Sequence, residues 1–67
     1  MKAEELRQLS PDEMRVKERE MREQLFRLRF QLAAGQMESI RRIREIRKDL
    51  ARLLTVRRQR ALGERNG

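Results

Sequence analysis

Apolar residues recur along this chain at helical spacing, with charge filling most of the intervals between them. Met14, Met21, Leu25, Leu28 and Leu32 follow one another at seven, four, three and four residues, which predicts a helix carrying a narrow apolar seam. Glu18 interrupts that seam. Farther on, Ile40, Ile43, Ile46, Leu50, Leu53 and Leu54 build a matching face on a second helix. In the lead segment, Leu6 and Leu9 are placed to fold back as an apolar clasp.

Few residues punctuate the pattern. Ser10 suits the N-cap, Pro11 the first helical position, and Glu13 the place from which a carboxylate reaches back to the Ser10 amide. A helix is predicted over about 11–34, roughly 36 Å long at ~1.5 Å per residue. Gly35 then supplies the left-handed conformation that closes a helix, opening a turn over about 35–38. Ser39 is a suitable cap for a second helix over about 39–60, and a short helix is expected over about 3–9. Gly63 and Gly67, with Glu64, Arg65 and Asn66 between them, read as a loose polar tail over 61–67. So short a connection makes the long helices antiparallel neighbours. The expected fold is all-α, a long two-helix hairpin with a short N-terminal helix, forming one domain over 1–67. Pairs such as Glu18 with Arg22 and Glu23 with Arg27, acid four residues before base, add a little helix support.

Composition narrows the function classes. Sixty-seven residues allow one small domain with a thin core, expected to be marginal alone and completed by a partner surface. With no Cys and no His, thiolate chemistry, the commonest metal ligand and the commonest general base are all missing. The acids that could act in pairs, Glu4 with Glu5 or Asp12 with Glu13, fall in caps and on open helix faces. No enzyme, no cofactor, no metal site and no small-molecule substrate are expected. The longest apolar runs, such as Leu32-Ala33-Ala34, span three residues, so neither a membrane span nor a signal core is expected. The acidic opening Glu4-Glu5 disfavours a transit peptide, and a cytoplasmic location is the expectation.

Charge then points to a partner. The chain carries +7 with a pI near 11.4, and the excess is uneven. Residues 1–33 hold eight bases and seven acids, whereas residues 34–67 hold ten bases and four acids. On the second helix Arg41, Arg44, Lys48 and Arg52 fall within about 80° of one another, a ridge about 16 Å long on the side away from Ile43 and Leu50. A ridge of this kind is either a solvated face or a phosphate contact; Glu45 and Asp49 are expected at its edge, which favours phosphate. On the first helix Phe26 and Phe30 lie well off the seam. They either shelter under the clasp and widen the core or, with Arg19, Arg22 and Arg29, meet RNA or a neighbouring protein. Fifteen Arg against three Lys favours planar, forked phosphate recognition.

The stretch from Leu28-Arg29-Phe30-Gln31 through Ala34-Gly35-Gln36-Met37, followed by Arg42-Ile43-Arg44-Glu45-Ile46-Arg47-Lys48-Asp49-Leu50-Ala51-Arg52 and Thr55, closely resembles the bacterial large-subunit ribosomal protein numbered twenty-nine. The likeness runs without a gap over about half the chain, and the opening Met1 to Arg7 is also similar. It departs mildly at Met37, Ser39, Lys48 and Leu50, where that family commonly has Leu, Asn, Arg and Ile. The resemblance implies a structural constituent of the large ribosomal subunit, bound to its rRNA at the rim of the polypeptide exit tunnel. It also implies neighbouring ribosomal proteins, including large-subunit protein twenty-three, and a part in docking nascent-chain factors. By the same resemblance Arg29, Phe30, Gln31, Gln36, Arg44, Arg47, Lys48, Arg52 and Thr55 are expected to meet RNA, and Gly35 to shape the turn. Arg47 lies close enough to the seam for its stem to pack instead. A rival reading is a coiled-coil interaction module dimerising through the seam, against which Gly35 argues. A basic amphipathic helix on a membrane is disfavoured by the acids of the first segment.

Overall fold

The structure, a computed structural model, describes residues 2–66, with side-chain environments as far as Gly63. Three helices account for nearly all of them: α1 (Ala3–Arg7), α2 (Pro11–Ala33) and α3 (Ser39–Asn66), and no strand occurs among the described residues. The long helices pack antiparallel into a rod of 50 × 17 × 16 Å.

Each helix boundary has a local cause. The Ser10 hydroxyl accepts the Glu13 amide at 3.1 Å while the Glu13 carboxylate accepts the Ser10 amide at 3.1 Å, a complete capping box with Pro11 at the first helical position. At the far end Gly35 has φ +96°, its amide donates to the Leu32 carbonyl at 3.0 Å and the Gln36 amide to the Gln31 carbonyl at 3.1 Å. Those two bonds satisfy carbonyls that the last turn of α2 would otherwise leave open, in a Schellman closure. Side chains rarely adopt that backbone angle, so glycine is required there although open space surrounds it.

Three sequence expectations need correction. α1 ends at Arg7, because the amides of Gln8 and Leu9 turn back to the carbonyls of Glu5 and Leu6 and redirect the chain into the extended Ser10. Ser39 does not cap α3 with its side chain; it is the first helical residue, buried, and its hydroxyl donates across the turn to Gln31 Oε1 at 3.3 Å. The polar tail expected over 61–67 is helical as far as Asn66, with Gly67 outside the described residues. An isolated glycine costs a helix only about 1 kcal/mol, and Gly63 has no proline beside it to force a stop.

The core is a single file of side chains between α2 and α3, closed at one end by α1. Leu6, Met14 and Leu53 are fully buried, with Met21, Leu25, Ile46 and Val56 nearly so, and Leu9, Leu28, Ile43 and Leu50 partly buried against them. The clasp expected from Leu6 and Leu9 is therefore present. Val56 is an addition: it lies off the α2-facing seam, and α1 packs on α3 so that Leu6 joins the same cluster. Leu54, expected in the seam, is 39% exposed.

Candidate nucleic-acid interface

The four ridge residues of α3 all reach solvent, and the Arg41 side chain is 91% exposed. Acids touch the two ends of the ridge. Glu45 lies 3.9 Å from Arg41 Nε and 3.0 Å from Arg42, and Asp49 lies 3.5 Å from Arg52. The two acids thus engage the ridge more closely than an edge position implies. Arg44 and Lys48, between them, make no ion pair among the described residues and form its uncompensated centre. The Thr55 hydroxyl donates to the Ala51 carbonyl of its own helix at 2.8 Å, which occupies its proton.

Phe26 and Phe30 are each 73% exposed, which overturns the reading that the clasp shelters them. α1 sits at the opposite end of the hairpin, over Met14 and Leu53. Phe26 instead lines a shallow groove of about 400 Å³ between the long helices, with Leu25, Leu50, Ala51 and Leu54 as its apolar lining and Arg22, Arg29 and Arg47 as its charged one. Arg47 therefore both packs along the groove and keeps its head in solvent. Arg22, Arg29 and Arg47 come together here from two helices; Arg19 lies beside Phe26 farther round α2. The opposite side of the hairpin, around Gln24, Arg27, Gln31, Arg42 and Ile46, is mixed in charge because Glu45 engages Arg42 there.

Gln31 and Gln36 have structural duties at the turn. Gln31 accepts from Ser39 through its side chain and from Gln36 through its carbonyl. Its side chain is thus held toward α3 and away from the groove.

Sequence reasoning missed Arg57 and Arg60. Arg57 crosses from α3 to pair with Glu18, the residue that interrupts the α2 seam, and Arg60 donates to the Leu9 carbonyl and lies 3.8 Å from Met14 Sδ. The signal was present: Ile43, Ile46, Leu50, Leu53, Arg57 and Arg60 alternate three and four residues apart, so the apolar seam of α3 runs on into two arginines. Arg22 also binds Glu18, at 2.8 Å, whereas Glu23 and Arg27 are not drawn together. The hydrogen bond from Arg22, reinforced by the charges of Arg22 and Arg57, holds the Glu18 carboxyl below its ordinary value despite partial burial. Glu13 is lowered too, by the Ser10 backbone amide and then by the Ser10 side chain.

Among the described residues no group of three or more potential metal ligands gathers, and no helix is long and apolar enough to cross a membrane. The family model described as "Ribosomal L29 protein" matches residues 4–60. The chain is 56% identical over 62 residues to the large ribosomal subunit protein uL29 of Cutibacterium acnes, covering 92% of this chain and 80% of that one. It is 54% identical to the uL29 of Exiguobacterium sp. and 52% identical to that of Halalkalibacterium halodurans, each over the full length of both chains. No solved structure matches it significantly. With a family model spanning most of its length and relatives aligned end to end, the chain belongs to the ribosomal L29 protein family.

Proposed function

We propose that this protein is a structural, non-catalytic constituent of the large ribosomal subunit in the cytoplasm, and that it binds rRNA through basic helix faces. The observation that carries the reading is the exposed centre of the α3 ridge, where Arg44 and Lys48 face solvent with no carboxylate paired to them among the described residues. A polyanion supplies the missing charge, and guanidinium and ammonium groups along a helix grip backbone phosphates without reading bases. The ridge extends through Arg52 and through Arg41, whose acid at 3.9 Å holds it loosely enough for phosphate to compete. Arg19, Arg22, Arg29, Phe30, Gln31, Gln36, Arg47 and Thr55 complete the proposed contact set, with Gly35 holding the turn. Placement at the rim of the polypeptide exit tunnel, beside large-subunit protein twenty-three and within reach of nascent-chain factors, rests on the family resemblance alone.

The seam that a coiled-coil dimer would need is occupied by the chain's own second helix, which favours the rRNA reading over the interaction module. The test reverses the ridge: Arg41→Glu, Arg44→Glu and Arg52→Glu together should abolish association with large-subunit rRNA while circular dichroism stays helical. For the unaltered chain, about four phosphate contacts give a log–log salt slope of roughly −3 to −4. Undiminished binding by the triple variant would refute the reading.

A further inference from the structure

The groove is the least explained feature of the surface. Its apolar lining is Leu25, Phe26, Leu50, Ala51 and Leu54, its charged side chains are all cationic, and no carboxylate lines it among the described residues. Arg29 and Arg47 make no ion pair among the described residues, and they approach it from opposite helices. A large aromatic side chain 73% exposed beside such a groove is an apolar surface that water solvates poorly, flanked by two forks suited to oxyanions.

Charge complementarity decides the occupant. At ~100° per residue, Arg44 and Lys48 sit only about 20° and 60° farther round α3 than Ala51, while Glu45 and Asp49 lie about 120° and 160° away. The uncompensated centre of the ridge therefore runs directly into the groove, the two α3 acids stay on the far side, and Glu23, which shares a neighbouring hollow with Phe26, sits there among Arg19, Arg22 and Arg27. A strand whose phosphates follow Arg44 and Lys48 would bring its next nucleotide to Phe26. We propose that this groove receives an unpaired rRNA base stacked on Phe26, with Arg29 and Arg47 holding the flanking phosphates. Aromatic stacking of splayed bases between phosphate-binding arginines is the ordinary chemistry of single-stranded RNA recognition. Phe30, one turn along α2 and equally exposed, offers a second ring face for the adjoining base. This inference rests on the rRNA-binding reading above and adds to it the conformation of the RNA.

Two substitutions separate stacking from apolar burial. Phe26→Leu keeps apolarity and removes the ring; Phe26→Tyr keeps the ring. Binding to deproteinised large-subunit rRNA should fall about 5- to 150-fold for Phe26→Leu, the loss expected for one stacked base, with Phe26→Tyr close to the unaltered chain. The salt slope should be the same for all three, because no phosphate contact changes. In reconstituted large subunits, a benzophenone side chain placed at position 26 should crosslink to a nucleotide in a loop or bulge. If Phe26→Leu binds as tightly as the unaltered chain while the triple ridge reversal abolishes binding, the stacked base is wrong and the rRNA reading stands. If the ridge reversal also leaves binding intact, both fail. Crosslinking of position 26 to a ribosomal protein or to duplex RNA overturns the proposal in favour of that occupant.

Discussion

The clasped end of the hairpin and the Phe26 groove are built from the same kinds of residue and meet water in opposite ways. At the clasp, Leu6, Met14 and Leu53 are fully buried, and two arginines, Arg57 and Arg60, are tied to Glu18 and to the Leu9 carbonyl. In the groove, Phe26 and Leu54 remain 73% and 39% exposed, and Arg29 and Arg47 pair with no acid among the described residues. A short third helix makes the difference. It adds a wall to one end of a two-helix rod that is otherwise one side chain thick, and the other stretches of the rod keep an open flank. The closed end answers to folding, whereas the open flank is the surface that the proposed rRNA contact would cover.

The largest effect should come from breaking the closed end. Leu53→Ala, at a fully buried position, should destabilise the chain by about 2–5 kcal/mol, visible as a lost or strongly lowered thermal transition in circular dichroism. A change below about 1 kcal/mol would mean that the clasp does not close in solution. Next in size, Ser10→Ala removes the acceptor for the Glu13 amide and should cost about 1 kcal/mol by chemical denaturation, since the first turn of α2 loses its cap. Thr in place of Ala at that position should restore most of the loss.

Caps, turn and helical spacing were the more legible parts of the sequence. Ser10, Pro11 and Glu13 specify a start, Gly35 a reversal, and the spacing of Met14, Met21, Leu25 and Leu28 an inward face; each is a local rule that the fold obeys, whereas Leu32, expected in the same face, is only half-buried and stays outside the core cluster. Val56 was not legible, because its burial depends on where α1 lands, which no periodicity within α3 reveals. The end of α3 was misjudged because glycine is a weak stop when nothing else breaks the helix. Within the candidate site, the angular grouping of Arg41, Arg44, Lys48 and Arg52 could be computed from spacing alone. The meeting of Arg22 and Arg29 with Arg47 could not, since it needs the register between two helices. Glu18 stood out as a flaw in one seam; that Arg57 answers it from the other required the same register.

That pair offers a finer way to weaken the clasped end. A double-mutant cycle with Glu18→Gln and Arg57→Gln should return a coupling of about 0.2–1 kcal/mol, because both side chains keep some contact with water. Acid should do the same in another way. Glu13 and Glu18 both titrate below the ordinary carboxyl value in the folded chain, so the unfolded chain binds protons first as pH falls. Their contribution is complete above the ordinary value near 4.5, declines as pH drops below it, and is gone once pH passes their lowered folded values. Stability measured from pH 7 down to 3 should hold level and then fall, and Glu18→Gln should flatten part of that fall. A profile that rises on acidification would contradict the assigned hydrogen bonds.

The smallest expected effect on folding is the one that most sharpens the comparison. Phe26→Ala removes as many apolar atoms as a severe core substitution, yet the ring contributes little to burial, and its loss should shift the unfolding free energy by less than about 0.5 kcal/mol. Alanine is moreover the better helix former at an exposed site, which offsets part of any lost contact with Leu54. Measured beside Leu53→Ala under the same denaturant conditions, the two variants should differ by several-fold in their cost although both delete large apolar side chains. If Phe26→Ala instead proves as destabilising as Leu53→Ala, the ring is packed in the free chain, and the groove is part of the core rather than a surface awaiting RNA.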